Sequence, residues 1–300
     1  MPTTIDQKLN DDIIVKDGLE AFKAMLAPLK MFSTDYSKDA AVKGASLEIP
    51  LIGGMTADST QNDYETASGS LGVVTVSLDG YAKATVGLTD KQFNDSSSAD
   101  LKKWAGQMGV AVASKVITDV FAKITKANFP APLTATAGMS VMDLLAAGRG
   151  KMGELKVPIA QRSYFPSPAA YMELSKDKNV QVASAMAYGG TEYVRDGLIP
   201  RLLGFNLFES TIMPSSAAAP NGFIVHPSAL AVATRAVPPS DPNAYIEART
   251  VTDQDTGITM SYRRHYSAGK GMHFLTFECV YGSSVGIKDA LVLLPGIPAA

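Results

Sequence analysis

An α+β protein is what the sequence predicts, on three observations. Residues 97–128 carry Leu101, Trp104, Ala105, Met108, Val112, Val116, Val120 and Ile124 at helical spacing, forming one apolar stripe. Residues 259–266 and 272–281 alternate apolar and polar side chains around the tip Ser267-Ala268-Gly269-Lys270-Gly271, the pattern of a long β-hairpin. Residues 162–210 mix both periods: a strand, a helix opened by Pro168, a polar break, and the alternating run Phe205-Asn206-Leu207-Phe208.

Composition narrows the function classes. With 300 residues the chain is long enough for one complex domain or two smaller ones. Lys and Arg total 27 against 29 Asp and Glu, a net charge of −2. Such a surface does not hold nucleic acid by bulk charge, because non-specific binding is mostly phosphate neutralisation. The single Cys279 excludes an intramolecular disulfide and a cysteine zinc site, and its apolar run Phe277-Glu278-Cys279-Val280-Tyr281 predicts an inert strand thiol. Residues 1–9 carry Asp6 and Lys8 with no apolar segment behind them, so no signal peptide is expected. No apolar run approaches membrane-spanning length, and a soluble, intracellular chain with no membrane contact is the expectation.

In chain order, residues 11–32 begin with Ile13-Ile14-Val15 and continue with Leu19, Phe22, Met25, Leu26 and Leu29 at helical spacing, ended or kinked at Pro28. A core helix and an arm packing on a neighbouring subunit both fit this amphipathic segment. Residues 45–51 read as a strand closed by Pro50, and 73–78 as a β-branched strand that 81–88 continues. The polar excursion 53–72 between them is long enough to be either functional or disordered. As an extended hairpin of ~10 residues per strand it would reach ~30 Å, and a two-stranded hairpin does not hold itself up in water. The helix over 97–128 would span ~40 Å. Ser97 with Asp100 resembles a capping box, Asp119 and Lys123 pair at i,i+4, Trp104 anchors the core, and Pro130 and Pro132 stop the helix. Ser140 with Asp143 caps a shorter helix that buries Met142, Leu144 and Leu145, loosened at Gly148, Gly150 and Gly153. Tyr171 and Leu174 share one face of the helix after Pro168. Residues 223–225 are a strand, Pro227 opens an alanine-rich helix through Ala233, and 290–294 form a last buried strand.

Motifs that carry chemistry fail on context. Gly282-Ser283-Ser284-Val285-Gly286 matches the nucleophile-elbow pattern, but the segment after it is short and strand-like, and His226, His265 and His273 all precede Ser284. A serine hydrolase using Ser284 is therefore the weaker reading, from a different class. Gly148-Arg149-Gly150-Lys151-Met152-Gly153 matches the dinucleotide fingerprint with the order reversed, a helix before it instead of a strand. The histidines have no metal-ligand spacing and no carboxylate cluster. No catalytic residue, cofactor or metal is expected. His265 beside Arg263 and Arg264 forms a small basic group on the hairpin, either a solvated strand face or a subunit-contact or DNA-facing patch.

The order of these signals resembles the tailed-bacteriophage (Caudoviricetes) major capsid proteins, whose fold encapsulins share. Within 162–210, Ser167-Pro168, Tyr171 and Leu174, Asp196-Gly197, Ile199-Pro200 and Gly204-Phe205 look like the centre of their axial domain, and Glu278-Cys279-Val280-Tyr281-Gly282 resembles their late Glu-x-x-Tyr-Gly. The resemblance implies an N-terminal arm (1–44), an extended loop hairpin (45–80), a peripheral domain with a long spine helix and β-hairpin (81–135 and 240–284) and an α/β axial domain (136–239 and 285–300). It implies a structural protein, not an enzyme, self-assembling as pentamers and hexamers into an icosahedral capsid around double-stranded DNA, in a virion assembled in the bacterial cytoplasm. An encapsulin-type compartment shell is the alternative. Partners would be other copies of the chain, portal, scaffolding or decoration proteins, and DNA contacted non-specifically. The resemblance makes Phe22 and Leu26 on the arm, Met55, Asp58, Asp63, Tyr64 and Glu65 on the loop, and Arg263, Arg264 and Lys270 on the hairpin candidates for subunit contact. No separate N-terminal scaffolding domain of the kind some members carry is expected, and no residues are assigned to a covalent cross-link.

Overall fold

The computed structural model describes residues 4–32, 46–52, 71–96, 98–131, 133–178, 180–181, 199, 201–208, 212–213, 220–237, 239, 241, 244–252 and 257–298. Among them the α-helices are α1 (Thr4–Leu26), α2 (Asp90–Asp95), α3 (Ser98–Phe121), α4 (Val141–Glu154) and α5 (Pro168–Lys176), with short 3-10 turns at Ala27–Met31, Pro227–Ala229 and Lys288–Ala290. The strands are β1 (Ser46–Ile52), β2 (Leu71–Ser77), β3 (Gly80–Thr89), β4 (Ser163–Phe165), β5 (Arg201–Leu202), β6 (Phe205–Leu207), β7 (Phe223–Val225), β8 (Leu230–Arg235), β9 (Glu247–Thr252), β10 (Thr259–Ser267), β11 (Met272–Val285) and β12 (Leu291–Leu293).

The predicted hairpin β10–β11 is the spine of a five-stranded antiparallel sheet in the order β3-β11-β10-β9, with β8 on the far end of β11. Period-two alternation sorts its residues by face. Met260, Tyr262, Leu275, Phe277, Cys279 and Ala82 point to one side and are buried there. Against that side lies α3, which buries Leu101, Ala105, Met108, Val112, Val116 and Val120 of the stripe together with Ala113, Ile117 and Phe121. Beside α3 runs α1. The two helices cross at glycines: a Cβ at Gly109 would lie 2.3 Å from the Gly18 carbonyl oxygen, and one at Gly18 would lie 2.3 Å from the Phe277 ring. No larger residue allows so close a crossing.

The second sheet runs β12-β7-β4-β6-β5 and is mixed, with β4 and β6 parallel and α5 in the connection between them. Parallel pairing requires such a crossover. As predicted, Ser140 and Asp143 form a complete capping box on α4, and Pro168 opens α5 behind the cap Ser167. Leu144, Leu145, Tyr164, Leu174, Phe205, Ile224 and Val292 make this sheet's own core. Phe165 and Phe223, stacked at 5.2 Å, join the larger core through Phe121.

Several sequence expectations are corrected. The spine helix ends at Phe121, where bonds from Lys123 to Val120 and from Ile124 to Phe121 tighten the chain into turns. Asp119 consequently pairs with Lys115 at 2.8 Å and not with Lys123. Trp104 is 48% exposed: it sits about 100° round the helix from Ala105, on the stripe's margin. Met142 is only partly buried, and Gly148 lies inside α4 against Ile224. Residues 230–235 are a strand, not an alanine-rich helix. They pair with Val280–Val285, which extends β11 beyond its predicted end. Nor do 81–88 continue 73–78: the chain leaves β2 at Leu78 and Asp79 and enters a different sheet as β3. Ser97 lies outside the described residues, and the capping box found here is that of Thr89 and Gln92 at the start of α2.

Candidate assembly surfaces

Strands β1 and β2 pair in antiparallel register from Ser46↔Ser77 to Ile52↔Leu71 and, among the described residues, form a two-stranded sheet. At its base Val76 and Leu78 pack on Ala231 and Ala233, with Leu47 and Val280 alongside. Further out, Val73 is 56% exposed. The candidates Met55, Asp58, Asp63, Tyr64 and Glu65 lie on the connection between these strands, outside the described residues.

The arm candidates are corrected. Phe22 and Leu26 are 1% and 2% exposed inside the chain's own core, because α1 packs on α3 and on the sheet. Arg264 is corrected as well. It points to the buried face of β10, is 3% exposed, and forms an ion pair with Asp11 of α1 at 3.0 Å. The Tyr262 hydroxyl donates to the same carboxylate at 2.9 Å. Burial raises the Asp11 carboxyl above its ordinary value, against the pull of Arg264 and Tyr262. Arg249 of β9 adds an ion pair to Asp12. Isolated buried charges are costly, so these pairs fix α1 to one position on the sheet.

Arg263, on the opposite face, is also engaged. It forms an ion pair with Glu278 at 2.6 Å, donates to Tyr245 at 3.0 Å and to the Val237 carbonyl at 2.7 Å, and stacks over the Tyr245 ring. His265 stacks on Phe274 at 5.2 Å. Lys270, at the tip, is exposed with its ammonium over Phe274. The three residues 263–265 therefore do not make one basic patch: alternation puts Arg264 inside, and Arg263 is neutralised by Glu278.

The Glu278-x-x-Tyr281-Gly282 segment acquires a physical role at the root of the ribbon. Glu278 accepts from Tyr81 at 2.5 Å as well as pairing with Arg263. Burial, then the Glu278 bond, pushes the Tyr81 hydroxyl up to about 12. Tyr281 donates to Asp119 at the end of α3. At Gly282 a Cβ would meet the Ser77 carbonyl oxygen at 2.1 Å, so β2 passes directly over β11 there. Sequence reasoning missed Asp11, Tyr81 and Asp119. The one available signal was a charge, Glu278, inside an apolar strand, which demands a partner.

The chemical motifs dissolve in this geometry. Ser284 lies near the end of β11 opposite Ala231, with no α-helix after it among the described residues, and Gly148 to Gly153 lie within α4. Cys279 is fully buried, and burial pushes its thiol up to about 12, an unreactive state at neutral pH.

A family model described as phage capsid protein matches residues 72–277, from the second ribbon strand through most of the long hairpin. The chain belongs to the phage capsid protein family. No curated protein matches it. Among solved structures, a chain from Mycobacterium phage Che8 is similar at TM-score 0.56 and 18% identity, covering 88% of each chain. The capsid of the cyanophage P-SCSP1u is similar at TM-score 0.55 and 14% identity, covering 85% of each chain. The capsid of an empty GTA particle is similar at TM-score 0.52 and 17% identity, covering 89% of this chain and 91% of that one. These likenesses show the capsid fold in its α+β form. The protein is a structural component of the virion capsid, built from many copies of itself, and not an enzyme.

Proposed function

We propose that the chain assembles as pentamers and hexamers into an icosahedral shell around double-stranded DNA in the bacterial cytoplasm. The observation that carries this reading is the β1–β2 ribbon, a two-stranded sheet packed on the body only through its base among the described residues. A two-stranded ribbon is marginal in water and becomes stable when it lies on a neighbour. Heterologous contacts of this kind close into rings, and rings tile a shell. Individual contacts need not be strong, because many act together. A net charge of −2 suits a wall that encloses DNA without gripping it.

In this arrangement α1, packed on α3 and the sheet, belongs to the body of the subunit, and residues 45–80 form the extended loop. Residues 81–135 and 240–284 form the peripheral domain, and 136–239 with 285–300 the axial domain. The contact residues are Met55, Asp58, Asp63, Tyr64 and Glu65 on the loop and Lys270 at the hairpin tip. Portal and, where used, scaffolding or decoration proteins complete the particle. Electron microscopy of the purified protein tests the reading. Closed shells with five- and six-fold capsomers and extractable double-stranded DNA are expected from infected cells. Shells filled only with protein would assign an encapsulin-type compartment, and a monomer that never assembles would end the proposal. Deletion of residues 53–70 is expected to abolish shells while leaving the circular dichroism of the subunit intact.

A further inference from the structure

At the far end of the long hairpin, away from the ribbon, α2 lies across the ends of β10 and β11. His273 of β11 is the centre of that contact. Its ring stacks on Phe93 of α2, centroids 4.4 Å apart and 27° between planes, and lies 4.9 Å from the Tyr266 ring of β10. Its Nε2 is 3.6 Å from Asp90 Oδ1, while Asp90 Oδ2 accepts from the Tyr266 hydroxyl at 2.9 Å. Its Nδ1 is buried and has no hydrogen-bond partner among the described residues. The Arg264 guanidinium lies over Phe93, 5.6 Å from its centroid, and is itself paired with Asp11 of α1. From β3 the residue opposite His273 is Leu88, which is uncharged. The charged groups around the ring are thus Asp90, whose side chain is half exposed, and Arg264, with Asp11 behind it.

We propose that His273 is the trigger of an acid-sensitive latch: the neutral ring seats α2 on the hairpin, and the protonated ring releases it. The neutral tautomer with its proton on Nε2, facing Asp90, leaves Nδ1 as a tolerated bare acceptor. Protonation turns Nδ1 into a buried donor with nothing to accept from it, a costly state, and places a second cation beside the ring that Arg264 covers. The attraction of Asp90 is weakened by its exposure and by its bond to Tyr266. Burial first, then Arg264, hold the His273 imidazole below its ordinary value of 6.5, against Asp90. A depressed imidazole contributes stability above its unfolded value, and that contribution is lost as pH falls through the folded one. The latch therefore opens on the acid side.

Hydrogen exchange of the full-length chain, corrected for the intrinsic pH dependence, tests this. Between about pH 7.5 and about pH 5, above the ordinary range of exposed carboxylates, protection of the α2 amides is expected to fall about five-fold or more relative to those of α4. In His273→Phe, which keeps the aromatic stack and cannot titrate, that fall is expected to disappear. Unchanged or increased protection of α2 in acid overturns the proposal, as does an equal fall in the variant. Nuclear magnetic resonance of imidazole-labelled wild-type protein provides a check that needs no variant. The His273 ring, assigned by its contacts to Phe93 and Tyr266, must titrate below 6.5, and titration at or above that value overturns the latch.

Discussion

Helix α1 and the β1–β2 ribbon both present as appendages in the sequence, yet the chain treats them oppositely. Each is a segment near the start with an apolar face, and each reads as a candidate to lie on a neighbouring subunit. The helix finds its partners at home: a close crossing with α3 where Gly18 meets Gly109, and cations on β9 and β10 that meet Asp11 and Asp12. The ribbon finds a partner only for its root, at Val76, Leu78, Ala231 and Ala233. An amphipathic pattern states that a face must be covered. It does not state whether the cover belongs to the same molecule.

The largest effect that would break this contrast is the loss of Asp11. Asp11→Ala leaves Arg264 buried without its counter-charge and is expected to cost about 3–5 kcal/mol, read as a lowered denaturation midpoint of the subunit. Wild-type stability would mean that α1 is an arm after all. Gly109→Val comes next. Its new side chain meets the backbone of Gly18, not a flexible side chain, and the helices must separate, at a cost of about 1–3 kcal/mol in the same measurement.

Acid probes the ribbon's root. Burial raises the Asp119 carboxyl, but the hydrogen bonds from Lys115 and Tyr281 outweigh it and hold the group below its ordinary value of 3.8. Its contribution is present above the unfolded carboxylate value and is lost as pH falls through the folded one. The melting temperature of the wild type is therefore expected to fall more steeply below about pH 4 than that of Asp119→Asn. Parallel curves would remove Asp119 from the account of the root. The smallest effect on the subunit belongs to Val73→Ser, at an exposed position on the ribbon. Its stability is expected to stay within about 0.5 kcal/mol of wild type, while shell yield by electron microscopy falls. A destabilised subunit would show that the ribbon packs on its own body.

Much of the element plan was legible in the sequence because it rests on local periodicity. The α3 stripe, the β10–β11 hairpin with its Gly-Lys-Gly tip, the Ser140–Asp143 box and the proline opening α5 are all decided within a few residues of themselves. So was the rejection of Ser284 and of the glycine run in α4 as catalytic or nucleotide sites. What failed was whatever depended on a distant partner. Residues 230–235 read as helix from their alanines and became β8 because β11 offers a long unpaired flank at Val280–Val285. Trp104, counted with the core by spacing, lies at the stripe's margin, since α1 covers the other flank of α3. Arg263 and Arg264 are adjacent in sequence and of one charge. Only the sheet's two faces, one covered by α1 and the other bearing Glu278, turned them into separate ion pairs with opposite partners. Local pattern chose the elements, because helix and strand periods are properties of the backbone. The tertiary structure alone decided which charges were neutralised and which apolar faces were left for another copy, because both depend on what long-range packing brings within a few ångströms.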